Sequence, residues 1–127
     1  MRRALPVVLL LLAAGCQPRL NQEEDVQLES VKPRMFTVNA IAKEQVIKVS
    51  AKAASGTFNL FVFLEKDLDA AETSILRNKP DETKVLKHQL KTAEAELQAT
   101  IPANETAVIY LLCADAKKAE VKLKITN

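Results

Sequence analysis

The chain has 127 residues, with 18 Lys and Arg against 16 Asp and Glu, two glycines, two cysteines, one histidine and no tryptophan. That length holds one domain, and the charge is too evenly spread to give the basic cluster that nucleic acid requires. Two glycines are too few for a phosphate-cradling loop, which needs several so that backbone N–H groups reach the ligand. Nucleic-acid and nucleotide binding are thereby excluded.

In chain order, Arg2 and Arg3 form a positive start, and residues 4–14 are apolar apart from Pro6. A stable membrane span needs roughly 20 apolar residues, so this shorter run reads as a removable export signal. Leu12-Ala13-Ala14-Gly15-Cys16 then places small residues directly before a cysteine. The segment resembles the lipobox of bacterial lipoproteins. That resemblance implies cleavage before Cys16, a diacylglycerol on its thiol, and membrane attachment without a spanning helix. Gln17, in place of Asp, favours the outer membrane, facing the periplasm or the cell surface, over the inner one. Cleavage leaves 112 of the 127 residues; the loss of Arg2 and Arg3 leaves 16 basic against 16 acidic side chains and no net charge. With Cys16 carrying lipid, Cys113 is the last cysteine, so no intramolecular disulfide forms and the core alone holds the fold.

Residues 16–34 read as the lipidated cysteine and a flexible tether, polar and aperiodic over Gln17–Pro33, with a span on the order of 20–25 Å. A first edge strand or short helix using Val26, Leu28 and Val31 is the alternative. From Met35 the apolar period is mainly two, the strand signature, and the domain is expected over 35–127. Phe36, Val38 and Ala40 share one face. Ile47, Val49, Ala51 and Ala53 alternate with Lys48, Ser50 and Lys52, giving one core face and one wet face. Ser55-Gly56 turns the chain into Phe58–Leu64, apolar on both faces except at Asn59 and therefore the most buried strand.

Asp69-Ala70-Ala71-Glu72 fits a capping box opening a short helix over 70–77, with Asn78 and Pro80 as stop signals. From Lys84 to Ile101 two spacings compete. Leu86, Leu90, Ala93 and Leu97 suit a helix, whereas Ala95, Leu97, Ala99 and Ile101 suit a strand. Two short strands are favoured because the flanks are β and a sandwich needs the partners. Residues 107–113 form a nearly continuous apolar strand. Ala119, Val121, Leu123 and Ile125 alternate with Glu120, Lys122, Lys124 and Thr126 in the last strand. The fold class expected is all-β: a single antiparallel, jelly-roll-like β-sandwich of seven or eight strands with one inserted helix.

The order of these elements carries a resemblance. Residues 45–51 (QVIKVSA), 58–64 (FNLFVFL), 95–103 (AELQATIPA), 107–112 (AVIYLL) and 121–125 (VKLKI) together resemble the small β-sandwich of bacterial pre-peptidase C-terminal domains and related exported lipoprotein modules. The resemblance implies a sandwich fold and a noncatalytic, accessory role.

Residues able to carry chemistry are few. His88 is expected on one strand face with Leu86 and Leu90, partly buried, and without the nucleophile or further ligands that a base or metal site needs. Cys113 lies in an apolar run with Ile109 and Leu111, where a thiol is a core group. Glu65, Asp67 and Asp69 have a calcium-loop spacing, but Ala70 stands where the turn glycine belongs and Leu76 where the closing glutamate belongs. They are weak calcium candidates and read first as a solvated strand end. Without exposed Trp or Tyr platforms, sugar binding is disfavoured. Phe61 and Phe63 are the aromatic pair to follow, since an uncovered face there would suit a protein partner. Asn104-Glu105-Thr106 is an incidental glycosylation sequon.

No nucleophile–base–acid set can be assembled, so the chain is read as a non-enzyme without cofactor. The function expected is a lipid-anchored, noncatalytic module acting through an envelope protein or in envelope structure. The alternative is a lipoprotein that binds a small apolar ligand or calcium.

Overall fold

Alternating apolar and polar residues place one side of a strand in a core and the other in water, and this pattern organises most of the chain. The structure, a computed structural model, describes residues 20–30, 32–114 and 118–127. The export signal, Cys16 and Gln17 lie outside the described residues. The strands are β1 (Asn21–Leu28), β2 (Arg34–Val38), β3 (Gln45–Ser55), β4 (Phe58–Leu64), β5 (Val85–Thr92), β6 (Glu94–Ile101), β7 (Ala107–Cys113) and β8 (Ala119–Thr126). Between β4 and β5 a 3₁₀ turn, Glu65–Asp67, runs into helix α1, Leu68–Leu76.

Two antiparallel four-stranded sheets form, in the orders β1-β8-β3-β6 and β2-β7-β4-β5. The pairings β1 with β8, β2 with β7, β3 with β6 and β4 with β5 are nested. The chain is in effect one long antiparallel hairpin rolled into two layers, which is the jelly-roll arrangement. The expected all-β sandwich is therefore the fold, with eight strands. Residues 84–101 are two strands, as favoured.

The inter-sheet core follows the period of two. It takes Ile47, Val49 and Ala51 from β3, and Val121, Leu123 and Ile125 from β8. Facing them are Phe58, Leu60 and Val62 from β4, and Ile109, Leu111 and Cys113 from β7. Side chains at these positions that are fully buried contribute roughly 1.5–3 kcal/mol each when large and apolar. Gly56 turns β3 into β4 with φ +76°, and a Cβ there would sit 2.8 Å from the Lys118 carbonyl oxygen.

Several expectations need correction. Residues 21–28 are not tether but strand β1, the alternative reading. Val26 and Leu28 enter the core while Glu23 and Asp25 face Lys124 and Lys122 of β8 across the outer surface. An edge strand with only two core residues looks aperiodic in isolation, because its polar side is paired rather than idle. β2 ends at Val38, which leaves Ala40 in an exposed loop.

The capping box does not form. The 3₁₀ turn moves the helix N-cap to Asp67, no side chain caps it, and Asp69 falls inside the first turn. The Thr73 hydroxyl instead donates to the Asp69 backbone carbonyl, at 2.8 Å. The stop signals are borne out. Asn78 takes the left-handed conformation, φ 58°, its N–H donates to the Ile75 carbonyl and the Lys79 N–H to the Ser74 carbonyl, the paired bonds of a Schellman cap.

Among the described residues no helix is long and apolar enough to cross a membrane.

Candidate functional site

In β4 and β7 the residues that point away from the inter-sheet core are themselves apolar, so a second layer must cover them. Helix α1 does so. Ala71 and Ile75 pack on Phe61 and Phe63 of β4, Val85 of β5, and Val108 and Tyr110 of β7, all buried. Phe61 and Phe63 are therefore not an exposed partner surface. The reason is the length of the β4–β5 connection, which is enough to lay two and a half helical turns across the sheet.

Tyr110 anchors this layer. Its ring meets Phe61 edge-on at 6.0 Å and Phe63 at 5.8 Å between centroids. Its hydroxyl donates to Glu72 Oε2 at 2.9 Å. Burial, and then the adjoining Glu72 carboxylate, push the Tyr110 hydroxyl well above the ordinary tyrosine range. Glu72 was expected to reach back along its own helix; it reaches the sheet instead.

The edge strand β5 is irregular. Phe61 pairs with His88 and Val62 with Lys87, but Phe63 pairs with Val85, so Leu86 is an extra residue. Phe58 pairs with Thr92 and Leu60 with Gln89, so Leu90 and Lys91 together face Asn59. These are two β-bulges, each turning a leucine outward. Leu86 is 39% and Leu90 43% exposed. His88 accordingly does not share a buried face with them; it is half-buried and stacks on Phe61 at 6.1 Å and 21°.

The second bulge builds a cleft. Phe61 and Ile75 form its floor, Leu90 and Pro80 its apolar sides, and Asn59, Asn78 and Lys91 its polar rim, around a volume of about 510 Å³. Three described residues other than glycine have positive φ, and two of them, Asn78 and Lys91 (φ 47°), line this one cleft. Left-handed backbone at a lysine costs about 1–2 kcal/mol, and such strain concentrates at functional sites. Here Asn59 holds it: its Oδ1 accepts the Lys91 backbone N–H at 2.7 Å.

The sequence marked Asn59 as the one polar residue of β4 but missed the cleft, because it is made by a bulge. Regular alternation puts Leu86, His88 and Leu90 on one face, and only the pairing with β4 reveals the extra residues.

The remaining candidates do not assemble. His88 lies with Phe61 on the helix-covered face of its sheet, whereas Cys113 is opposite Phe58 in the inter-sheet core. The sheet itself separates thiol from imidazole, so they form no dyad. Asp67 pairs with Lys84 at 3.6 Å, and the backbone N–H of Glu65 donates to Thr106. Glu65, Asp67 and Asp69 gather no calcium site: among the described residues no three His, Cys, Asp or Glu side chains are grouped to hold a metal. Lys66 beside these acids bonds Glu105 at 2.8 Å, which raises the Lys66 ammonium's affinity for its proton. Asp81, just past Pro80, is held below the usual carboxylate range by the hydroxyl and N–H of Thr83.

No family model matches the chain, and no curated protein is significantly similar in sequence. Solved structures do match in fold. The pre-peptidase C-terminal domain of a collagenase from Bacillus anthracis aligns with a TM-score of 0.59 at 13% identity, over 87% of this chain and 99% of that one. PliG of Aeromonas hydrophila, a periplasmic inhibitor of g-type lysozyme, gives 0.57 at 13% identity, over 87% and 89%. The Yersinia pseudotuberculosis-derived mitogen gives 0.59 at 5% identity, over 86% of each chain. At such identities the likeness is one of fold alone, and at that level it agrees with the resemblance drawn from the strand order. The chain is a small β-sandwich domain with the fold found in these proteins.

Proposed function

We propose that this chain is a noncatalytic binding module, exported and anchored at the cell envelope by lipid on Cys16, which engages an envelope protein through the cleft beside Leu90. The observation that carries the reading is the cleft itself. A large apolar side chain stands exposed over a buried aromatic floor, on backbone held in a costly conformation by a dedicated hydrogen bond. With Phe61, Ile75 and Pro80, Leu90 makes a concave apolar surface rimmed by a few polar groups, the form a binding site takes.

The separation of His88 from Cys113, and the pairing of Asp67 with Lys84, support a role without chemistry. The fold neighbours support it too, since one of them acts as an inhibitor of another protein. Gln17 after the acylated cysteine supports placement in the outer membrane.

A second reading has the same cleft hold a small apolar ligand, for which about 510 Å³ falls within the usual range for ligand pockets.

The test uses affinity capture from detergent-solubilised envelopes with the intact protein, Leu90→Asp and Cys16→Ser. One partner retained by the wild type and lost with Leu90→Asp is expected, while Cys16→Ser moves the protein to the soluble fraction and ends its labelling by a fatty-acid analogue. A partner that Leu90→Asp retains equally would move the contact elsewhere, and membrane association without the thiol would refute the anchor.

A further inference from the structure

We infer that the sandwich sits with its Leu20–Asn127 corner against the lipid surface, and that the Leu90 cleft is held facing away from it. The inference rests on the proposed lipid at Cys16 and follows from chain length and topology. Strand β1 starts at Asn21, and the backbone N–H of Leu20 donates to Asn127 Oδ1 at 3.0 Å, tying the chain to the end of β8. From Cys16 to Leu20 there are four residue steps, which span at most roughly 13–14 Å when fully extended. The leash is thus much shorter than a tether running to Pro33.

The cleft lies at the other end and the other edge. β1 begins at the level of Thr126 in β8, and Thr126 is opposite Lys48 near the start of β3. Lys91 lies at the level where β3 ends: β3 residue Lys52 is opposite Glu94, and the Ala53 N–H donates to Ala93. β1 is one edge of its sheet, while β5 is the far edge of the second sheet. Four residues along a strand, three strand spacings across and one sheet spacing through put the cleft on the order of 20 Å from Leu20. The cleft is thus diagonally opposite the attachment point, so seating the Leu20–Asn127 corner on the surface points the cleft away from it.

The corner itself suits that surface. Leu20 and Asn127 share a shallow depression with Ala40, Ile41 and Gln45, and Val46 beside it is 45% exposed. Apolar groups at this end can rest at the headgroup boundary. The cleft's partner must then approach from the aqueous side, and a protein lying flat in the same leaflet would not reach it.

The test places one fluorophore on Ala40→Cys or on Lys79→Cys, the latter between the cleft residues Asn78 and Pro80. The full acylated protein is then reconstituted into phosphatidylethanolamine–phosphatidylglycerol vesicles containing a headgroup-quencher lipid. Both positions are exposed, whereas Cys113 is buried and protected from the label. Quenching several-fold stronger at residue 40 than at residue 79 is expected. A twenty-residue Gly-Ser insertion after Pro18 should largely erase the difference. Equal quenching without the insertion, or stronger quenching at residue 79, overturns the orientation while leaving the anchor intact. Mass spectrometry of the Cys16 peptide separates the two ideas, because an unmodified thiol there overturns both.

Discussion

Replacing Tyr110 by Phe removes one oxygen from the layer between helix and sheet and leaves its packing in place. The ring is fully buried, and its hydroxyl donates over 2.9 Å to the Glu72 carboxylate. Hydrogen bonds to charged acceptors contribute about 1.5–3 kcal/mol. Glu72 is only half-buried, so its carboxylate regains water in the variant, and the expected loss is at the lower end, about 1–2 kcal/mol. For a domain of this size that lowers Tm by roughly 4–10 °C. Glu72→Leu should cost more, about 2–3 kcal/mol, because the buried hydroxyl is then left without its acceptor.

The same contact predicts a pH dependence. The folded-state pKa of Tyr110 is raised above its unfolded value near 10. Its contribution is therefore complete below about pH 10 and is lost as pH rises further, at up to 1.4 kcal/mol per pH unit. Tyr110→Phe should flatten this alkaline limb. Since Tyr110 is the chain's sole tyrosine, ultraviolet absorbance titration reads its ionisation directly, beside urea melts followed by circular dichroism. A loss under 0.5 kcal/mol at neutral pH, together with ordinary tyrosine titration, would refute the docking of α1 through this pair.

Further predictions address backbone and packing. Gly56→Ala places a Cβ at left-handed φ, 2.8 Å from the Lys118 carbonyl oxygen; it should destabilise by at least 1–2 kcal/mol, read as a lowered urea midpoint with unchanged slope. Lys91→Gly relieves left-handed strain, and should raise stability by up to about 1 kcal/mol while weakening partner capture if the rim lysine contributes to binding. A lowered midpoint would show that the bulge is not strained. Ile75→Ala empties the contact between α1 and the sheet and should cost about 2–4 kcal/mol, with amide exchange accelerating first in residues 68–76.

The strands that were legible in the sequence are those whose neighbours lie on both sides. β3 and β8 alternate cleanly because one face meets the core and the other meets water, and β4 (Asn59 apart) and β7 are apolar because both their faces are covered. Edge strands obey other constraints. β1 offers only Val26 and Leu28 to the core, and the rest of its pattern makes sense only beside β8, whose lysines its acids face. β5 carries two bulges, which shift Leu86 and Leu90 out of the alternation that strand reading assumes. The helix was found but its start was misplaced, because local capping preferences could not anticipate that Glu72 satisfies a buried tyrosine in β7. Phe61 and Phe63 were singled out correctly as an apolar face; what covers them is a tertiary decision by the intervening helix.

The central claim, that the bulged edge at Leu90 is where this module meets a partner, is tested most directly by site-specific photo-crosslinking in intact cells. A photoreactive residue at position 90 should yield one discrete adduct with an envelope protein. The same probe at Lys48, on the charged outer face of the opposite sheet, should yield none. An adduct from position 48 with none from position 90 would contradict the account.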